Sequence, residues 1–321
     1  MSAADLTGPP PAGPPLPGPP LPGPPPAGPP PAPGAARPAR VAGRPPDPAR
    51  AWLRLLRSEL GLTFGRWRNV ALLGVLAVIP VLLGVALKLA GPTGGDGPGP
   101  PFLDQVAGNG IFLSFLALSV MLTLVLPLTV AVVAGDSVAG EAGHGTLRYL
   151  LAVPAGRTRL LGVKYVALLA FCLAGALVVA AVSLVVGAAA FGAGPVTLLS
   201  GTTISLAAGL GRLLLVALYV AAAMGALAAI GLAVSTLTEH AIAAIAAILV
   251  LVIGSEVTDN VPQFAVVHPY LPTHWWLSFD GLLRAPVAGA TVGHGLASFA
   301  AYAVIFGAVA WARFTTADIT S

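Results

Sequence analysis

Charge is what this sequence has least of. Asp, Glu, Lys and Arg make up 9% of its 321 residues, against roughly 25% in an ordinary soluble domain. Hydrophobic residues reach 56% and the mean hydropathy is +0.89. That balance excludes a soluble globular fold and predicts an all-α integral membrane protein, because helices satisfy their own backbone in lipid. Cysteine occurs once, at Cys172 inside an apolar run, which excludes an internal disulfide and leaves a Cys-based metal site without ligands. Lysine occurs twice, at Lys88 and Lys164, and neither follows the glycines of a phosphate-binding loop. The chain therefore does not hydrolyse ATP by that mechanism, and it also lacks H-E-x-x-H and G-x-S-x-G. No enzymatic site and no bound cofactor is expected. His268, His274 and Asp280 share one segment, but two intervening prolines give the histidines no standard ligand spacing, so no metal site is expected. The net charge of +4 is dispersed at the ends of apolar runs, where topology rather than nucleic acid explains it.

Proline, by contrast, is abundant and uneven: 20 of 32 prolines fall in residues 1–50. Glycine recurs there every fifth position, at Gly8, Gly13, Gly18, Gly23 and Gly28. Collagen requires glycine at every third position, so a disordered tail with polyproline II character is expected instead. Residues 51–69 change character. At about 100° per residue, Trp52, Leu53, Leu56, Leu60, Phe64 and Trp67 share a face opposite Arg54, Arg57 and Arg68. This predicts an amphipathic helix lying in the cytoplasmic headgroup layer.

Residues 70–321 form the expected transmembrane domain. Six apolar runs, at 70–90, 111–134, 160–191, 206–236, 241–257 and 293–314, each meet the roughly 20 residues that cross a bilayer. Pro80 and Pro127 lie mid-span and predict kinks. With both termini in the cytoplasm, 13 of the 16 basic residues lie inside, and only Lys88, Arg212 and Arg284 lie outside. Lys88 and Arg212 either snorkel to the interface or line a substrate path. Glu239 and His240 fall in a tight cytoplasmic turn. The outer stretch 258–291 mixes Pro262, Pro269, Pro272 and Pro286 with Tyr270, Trp275, Trp276 and Phe279. That mixture predicts short helical pieces dipping into the outer leaflet.

Between the second and third runs, residues 136–164 are polar and carry Arg148, Arg157, Arg159, Lys164, Asp136 and Glu141. Their positive charge assigns the connector to the cytoplasm. Its apolar residues Leu147, Tyr149, Leu150, Leu151 and Val153 predict that it packs on a soluble partner.

The run AGEAGHGTLRYLLAVPAGRTRLLGVKY resembles the corresponding loop of type-2 ABC exporter permeases. The matching positions are Glu141, Gly145-Thr146-Leu147, Leu150-Leu151, Pro154, Arg157, Leu160-Leu161 and Lys164. Ser235-Thr236-Leu237-Thr238 and Arg313-Phe314…Asp318-Ile319 are similar to two further family signatures. The resemblance covers residues 51–321 and implies a dimeric permease with an elbow helix, six spans and a re-entrant segment between spans five and six. It also implies a separate cytoplasmic ATPase that carries ATP and Mg. Glu141, Gly145, Thr146, Leu147, Arg148, Leu150, Leu151, Pro154 and Arg157 become the expected ATPase-coupling residues. Ala142, Gly143 and His144 depart from the family, which often has basic residues there. The implied setting is a bacterial plasma membrane and the implied cargo a small amphiphile or lipid. The alternatives are an ion-coupled secondary transporter and a membrane anchor without its own transport path.

Overall fold

The computed structural model describes residues 48–90, 109–143 and 156–316. The proline-rich tail, most of the first outer loop, and the coupling positions Gly145, Thr146, Leu147, Arg148, Leu150, Leu151 and Pro154 lie outside the described residues, as do Asp318 and Ile319.

Eight α-helices are present among the described residues. They are α1 (Pro48–Gly65), α2 (Trp67–Ala90), α3 (Ile111–Thr123), α4 (Val125–Gly143), α5 (Arg157–Phe191), α6 (Leu206–Leu237), α7 (Ala241–Asp259) and α8 (Gly289–Thr316). A two-residue antiparallel pair, Val196–Thr197 with Thr203–Ile204, closes the turn between α5 and α6. Five helices are long and apolar enough to cross a membrane, or six if the bent pair α3–α4 is one span. The protein is therefore a multi-pass, all-α membrane protein.

α6 is the centre of the bundle. Within its most apolar window 78% of residues are buried, against 17% for α2 and for α8. Small side chains make that position possible: Ala217, Ala223, Ala228 and Ala229 are completely covered, and small residues let helices approach closely where no hydrophobic drive separates protein from lipid. α4, α5, α7 and α8 pack around it. Val78, Leu82, Val250, Val304 and Ile305 point outward and are each more than half exposed. An apolar exterior of this extent suits hydrocarbon and not water.

The two prolines act differently. α2 continues unbroken through Pro80, so the expected kink leaves no break in the helix. α3 stops at Thr123, and α4 leaves it at 52°. The proline ring at 127 collides with the carbonyl four residues earlier, which is Thr123, and offers it no N–H. α3 itself is buried almost all round, with Val120 its one strongly exposed large apolar side chain. Its N-terminus is fixed by Asn109, whose side chain donates to the Gly194 and Pro195 carbonyls and accepts from the Ile111 amide. Gly110 and Gly187 meet there backbone to backbone: a Cβ on either would lie 2.1 or 2.0 Å from the other's carbonyl oxygen.

The segment between α7 and α8 is broken into 3-10 turns at Pro262–Phe264, His268–Tyr270 and Trp276–Leu283. Prolines remove donors every few residues and stop longer helices from forming. Arg212 of α6 is committed to this segment, since its guanidinium donates to the carbonyls of Leu282 and Arg284. This tie to the 3-10 segment is neither of the two roles, snorkelling or lining a path, that the sequence suggested for Arg212.

Candidate functional site

The polar connector is shorter than its composition implies. α4 remains helical to Gly143 and α5 begins at Arg157, so Asp136, Glu141 and Lys164 all lie on helices. Lys164 was expected in water with the rest of the connector, yet it is 3% exposed. A buried ammonium requires compensating charge, and two carboxylates supply it. Its Nζ lies 2.6 Å from Glu141 Oε1 and 3.5 Å from Glu59 Oε1. Glu141 is on the last turn of α4, Lys164 on the second turn of α5, and Glu59 is the single acid of α1. One lysine therefore joins both ends of the connector to the amphipathic helix.

A second knot lies beside the first. Asp136 Oδ2 accepts from Arg66 Nη1 at 2.6 Å and from Arg68 Nη2 at 2.8 Å. Arg66 is the residue at which α1 gives way to α2. Asn69 Nδ2 spans that break by donating to the Thr63 carbonyl at 2.8 Å. Gly140 leaves room for the Asp136 side chain, because a Cβ there would lie 2.2 Å from Asp136 Oδ1. Among the described residues the knots contain three cations (Arg66, Arg68, Lys164) and three carboxylates (Glu59, Asp136, Glu141).

The α1 face that meets α5 carries Phe64, which packs on Phe171 with ring centroids 6.1 Å apart. Trp52, Leu56 and Leu60 share that half-buried side, as the amphipathic pattern predicts. Leu53 and Trp67, expected on the same face, are exposed instead, at 58% and 81%. The packed side is turned toward Leu55 and Glu59, which lie inward with it, and Trp67 falls beyond the end of α1. Arg54 and Arg57 face away from the bundle.

Arg157 is placed elsewhere. Its Nη1 donates to the Thr315 carbonyl at 2.9 Å, and Trp311 Nε1 donates to Thr158 Oγ1 at 2.9 Å. The start of α5 is thus bonded to the last turn of α8, where unpaired carbonyls favour a cation. Of the expected coupling residues, Glu141 and Arg157 are the two within the described region. They bracket the connector and are bonded to different helices, Glu141 to Lys164 of α5 and Arg157 to the Thr315 carbonyl of α8. On the face of α4 away from α1, Ser235 donates to the Gly135 carbonyl at 2.8 Å and accepts from the amides of Val138 and Ala139. That buried hydroxyl pins α4 to α6 just below the connector.

Sequence patterns missed Glu59, Arg66, Asn69 and Ser235 as partners of this region. A signal was present for the Glu59–Lys164 pair. Glu59 is the one acid in an arginine-rich amphipathic helix, and Lys164 is one of two lysines in the chain. The cleft between the two knots has a volume of ≈ 40 Å³, room for a few waters and too little for an amphiphile. The arrangement can brace a connector; it is not a substrate pocket. Among the described residues no group of three or more His, Cys, Asp or Glu has a geometry that would hold a metal ion.

No curated protein matches the chain. A family model does match residues 78–320, from within α2 to the C-terminal end, taking in Asp136, Glu141 and Lys164 but not Glu59. The chain therefore belongs to the family described as Protein of unknown function (DUF2705).

Proposed function

We propose that this chain is the membrane-spanning permease subunit of an ATP-driven exporter, related to the type-2 ABC permeases. α1 is then the elbow helix, α3–α4 together make the second of six spans, and both termini lie in the cytoplasm. The 3-10 segment between α7 and α8 is the re-entrant element on the outside. A cytoplasmic ATP-binding cassette subunit docks on the 136–164 connector. A second copy or paralogue completes the path for a small amphiphilic or lipid-like cargo in a bacterial plasma membrane.

The observation that carries this reading is the bracing of the connector. Its entry residue Glu141 and exit-side residue Lys164 are bonded to each other and face Glu59 of α1, while Arg157 is bonded to the end of α8. A push on the connector is therefore delivered to four helices as a unit, which a loop that merely turns the chain does not need. Leu147, Leu150 and Leu151 supply apolar contact to the ATPase. Glu141, whose sequence position matches the family's acidic residue, acts by holding the base of the connector.

The test uses full-length chain purified with the ATP-binding cassette protein that accompanies it from native membranes. Leu150→Asp, which places a charge in the contact, is expected to abolish co-purification. Glu141→Ala removes a charge-assisted bond of about 1.5–3 kcal/mol and is expected to preserve binding but uncouple ATP hydrolysis from export. Wild-type binding and coupling in both variants at matched expression would sink the proposal.

A further inference from the structure

α1 uses only one of its sides in the contacts described above. It docks on α5 where Phe64 packs on Phe171, and Glu59 reaches Lys164 from the same side. The apolar side is therefore spent on protein, not on the headgroup layer in which the sequence pattern set it. At about 100° per residue, Arg50, Arg54 and Arg57 fall within about 60° of one another, on the side opposite Glu59. All three are exposed, and none has a carboxylate partner among the described residues. Arg66 and Arg68 differ, since Asp136 holds both. Gly61 continues the stripe one turn beyond Arg57, and a Cβ there would meet nothing within 4 Å.

Position decides what such a stripe meets. α1 ends at Gly65 and α2 begins at Trp67, and α2 is long and apolar enough to cross a membrane. With one residue between them, and with α1 fastened to α5, the helix stays at the bilayer surface. Leu53 and Leu62 flank the stripe on either side and Trp67 follows it, all exposed. Leucine and indole beside arginine suit the boundary between headgroups and acyl chains, not open water. Arginine stems lie along that boundary while the guanidinium forks reach phosphate oxygens.

We propose that Arg50, Arg54 and Arg57 form a binding surface for anionic phospholipid headgroups of the leaflet that α1 borders. A zwitterionic headgroup presents the same phosphate but cancels its charge with its own ammonium, so the stripe selects by net charge. The lipid then holds α1 from outside while the Lys164 network holds it from inside. The composition of the leaflet thereby bears on the helix that closes over the base of the connector. An acidic protein face would complement the same charges, but it gives no role to the apolar flanks. The proposal rests on the membrane fold and not on the exporter reading, and its test needs neither an ATPase nor transport.

The experiment is native mass spectrometry of the full chain in mixed micelles holding equal amounts of phosphatidylglycerol and phosphatidylcholine. Wild type is expected to retain phosphatidylglycerol over phosphatidylcholine by about fivefold or more, the factor that one arginine near an anionic surface supplies. Raised salt is expected to shrink that ratio. The combined change of Arg50, Arg54 and Arg57 to Gln is expected to bring it close to one, and the same three changed to Lys to keep most of it. Gly61→Arg, which adds a fourth cation to the stripe where space is open, is expected to raise the ratio and needs no residue removed. Equal retention of the two lipids by wild type, or a preference unchanged by the three glutamines, would overturn the proposal. Loss of a co-purifying protein from the glutamine variant with the lipid preference intact would also overturn it, and would assign the stripe to an acidic partner.

Discussion

Lys164 decides how the connector is held, and its chemistry was hidden by its neighbours in the sequence. Arg148, Arg157, Arg159 and Lys164 read as one group of cytoplasmic cations. Yet Lys164 is two helical turns into α5 and covered by α1 and α4. Sequence periodicity locates the helix; it does not reveal which helix lies over which residue. Removing one partner of a buried ion pair leaves the other charge uncompensated and costs about 3–5 kcal/mol. Lys164→Ala removes the cation held between two carboxylates, each 12% exposed, and a loss toward the lower end, about 3 kcal/mol, is expected because the cleft admits water. The triple change of Glu59, Glu141 and Lys164 to Gln, Gln and Met removes the charges together and is expected to unfold closer to wild type. Thermal melts in one detergent at one pH compare the two. A Lys164→Ala protein as stable as wild type would mean that the knot holds nothing.

Elements were more legible than contacts. Apolar length located every helix that crosses the bundle, and the break at Thr123 follows from Pro127 by a clash that needs no tertiary information. Pro80 sits inside α2 without breaking it, so the local rule alone does not say which proline ends a helix. Glycines were the least legible feature, because in a chain with 39 of them spacing carries no signal. The structure separates them. Gly187 faces the backbone of Gly110, and a Cβ on Gly187 would lie 2.0 Å from the Gly110 carbonyl oxygen. Gly187→Ala is expected to destabilise by about 1–3 kcal/mol or more through overpacking and to lower the yield of folded protein. Gly162, in α5 near the connector, meets nothing within 4 Å. Gly162→Ala is expected to be neutral or to gain about 0.5–1 kcal/mol of helix propensity. Size-exclusion profiles and melts of the pair distinguish close packing from composition.

At the scale of the whole molecule, orientation rests on charge, and the bundle adds a structural reason for it. The Lys164 network, the exposed Arg54 and Arg57, and the Glu239–His240 turn all gather at one end. The opposite end holds the aromatic 3-10 segment with Arg212 drawn into its carbonyls. Translocating the first end would carry Arg54, Arg57, Arg66, Arg68 and Lys164 across the membrane, against the bias that keeps Lys and Arg in the cytoplasm. The polar end is therefore expected inside. Two exposed positions at opposite ends report this directly: Glu239 in the α6–α7 turn and Gln263 in the 3-10 segment. In a Cys172→Ser background, Gln263→Cys is expected to react with an impermeant maleimide added to intact, right-side-out cells. Glu239→Cys is expected to react only after permeabilisation. Labelling of Glu239→Cys in sealed cells would invert the assignment, placing the connector where no cytoplasmic ATPase could reach it and removing the basis of the exporter reading.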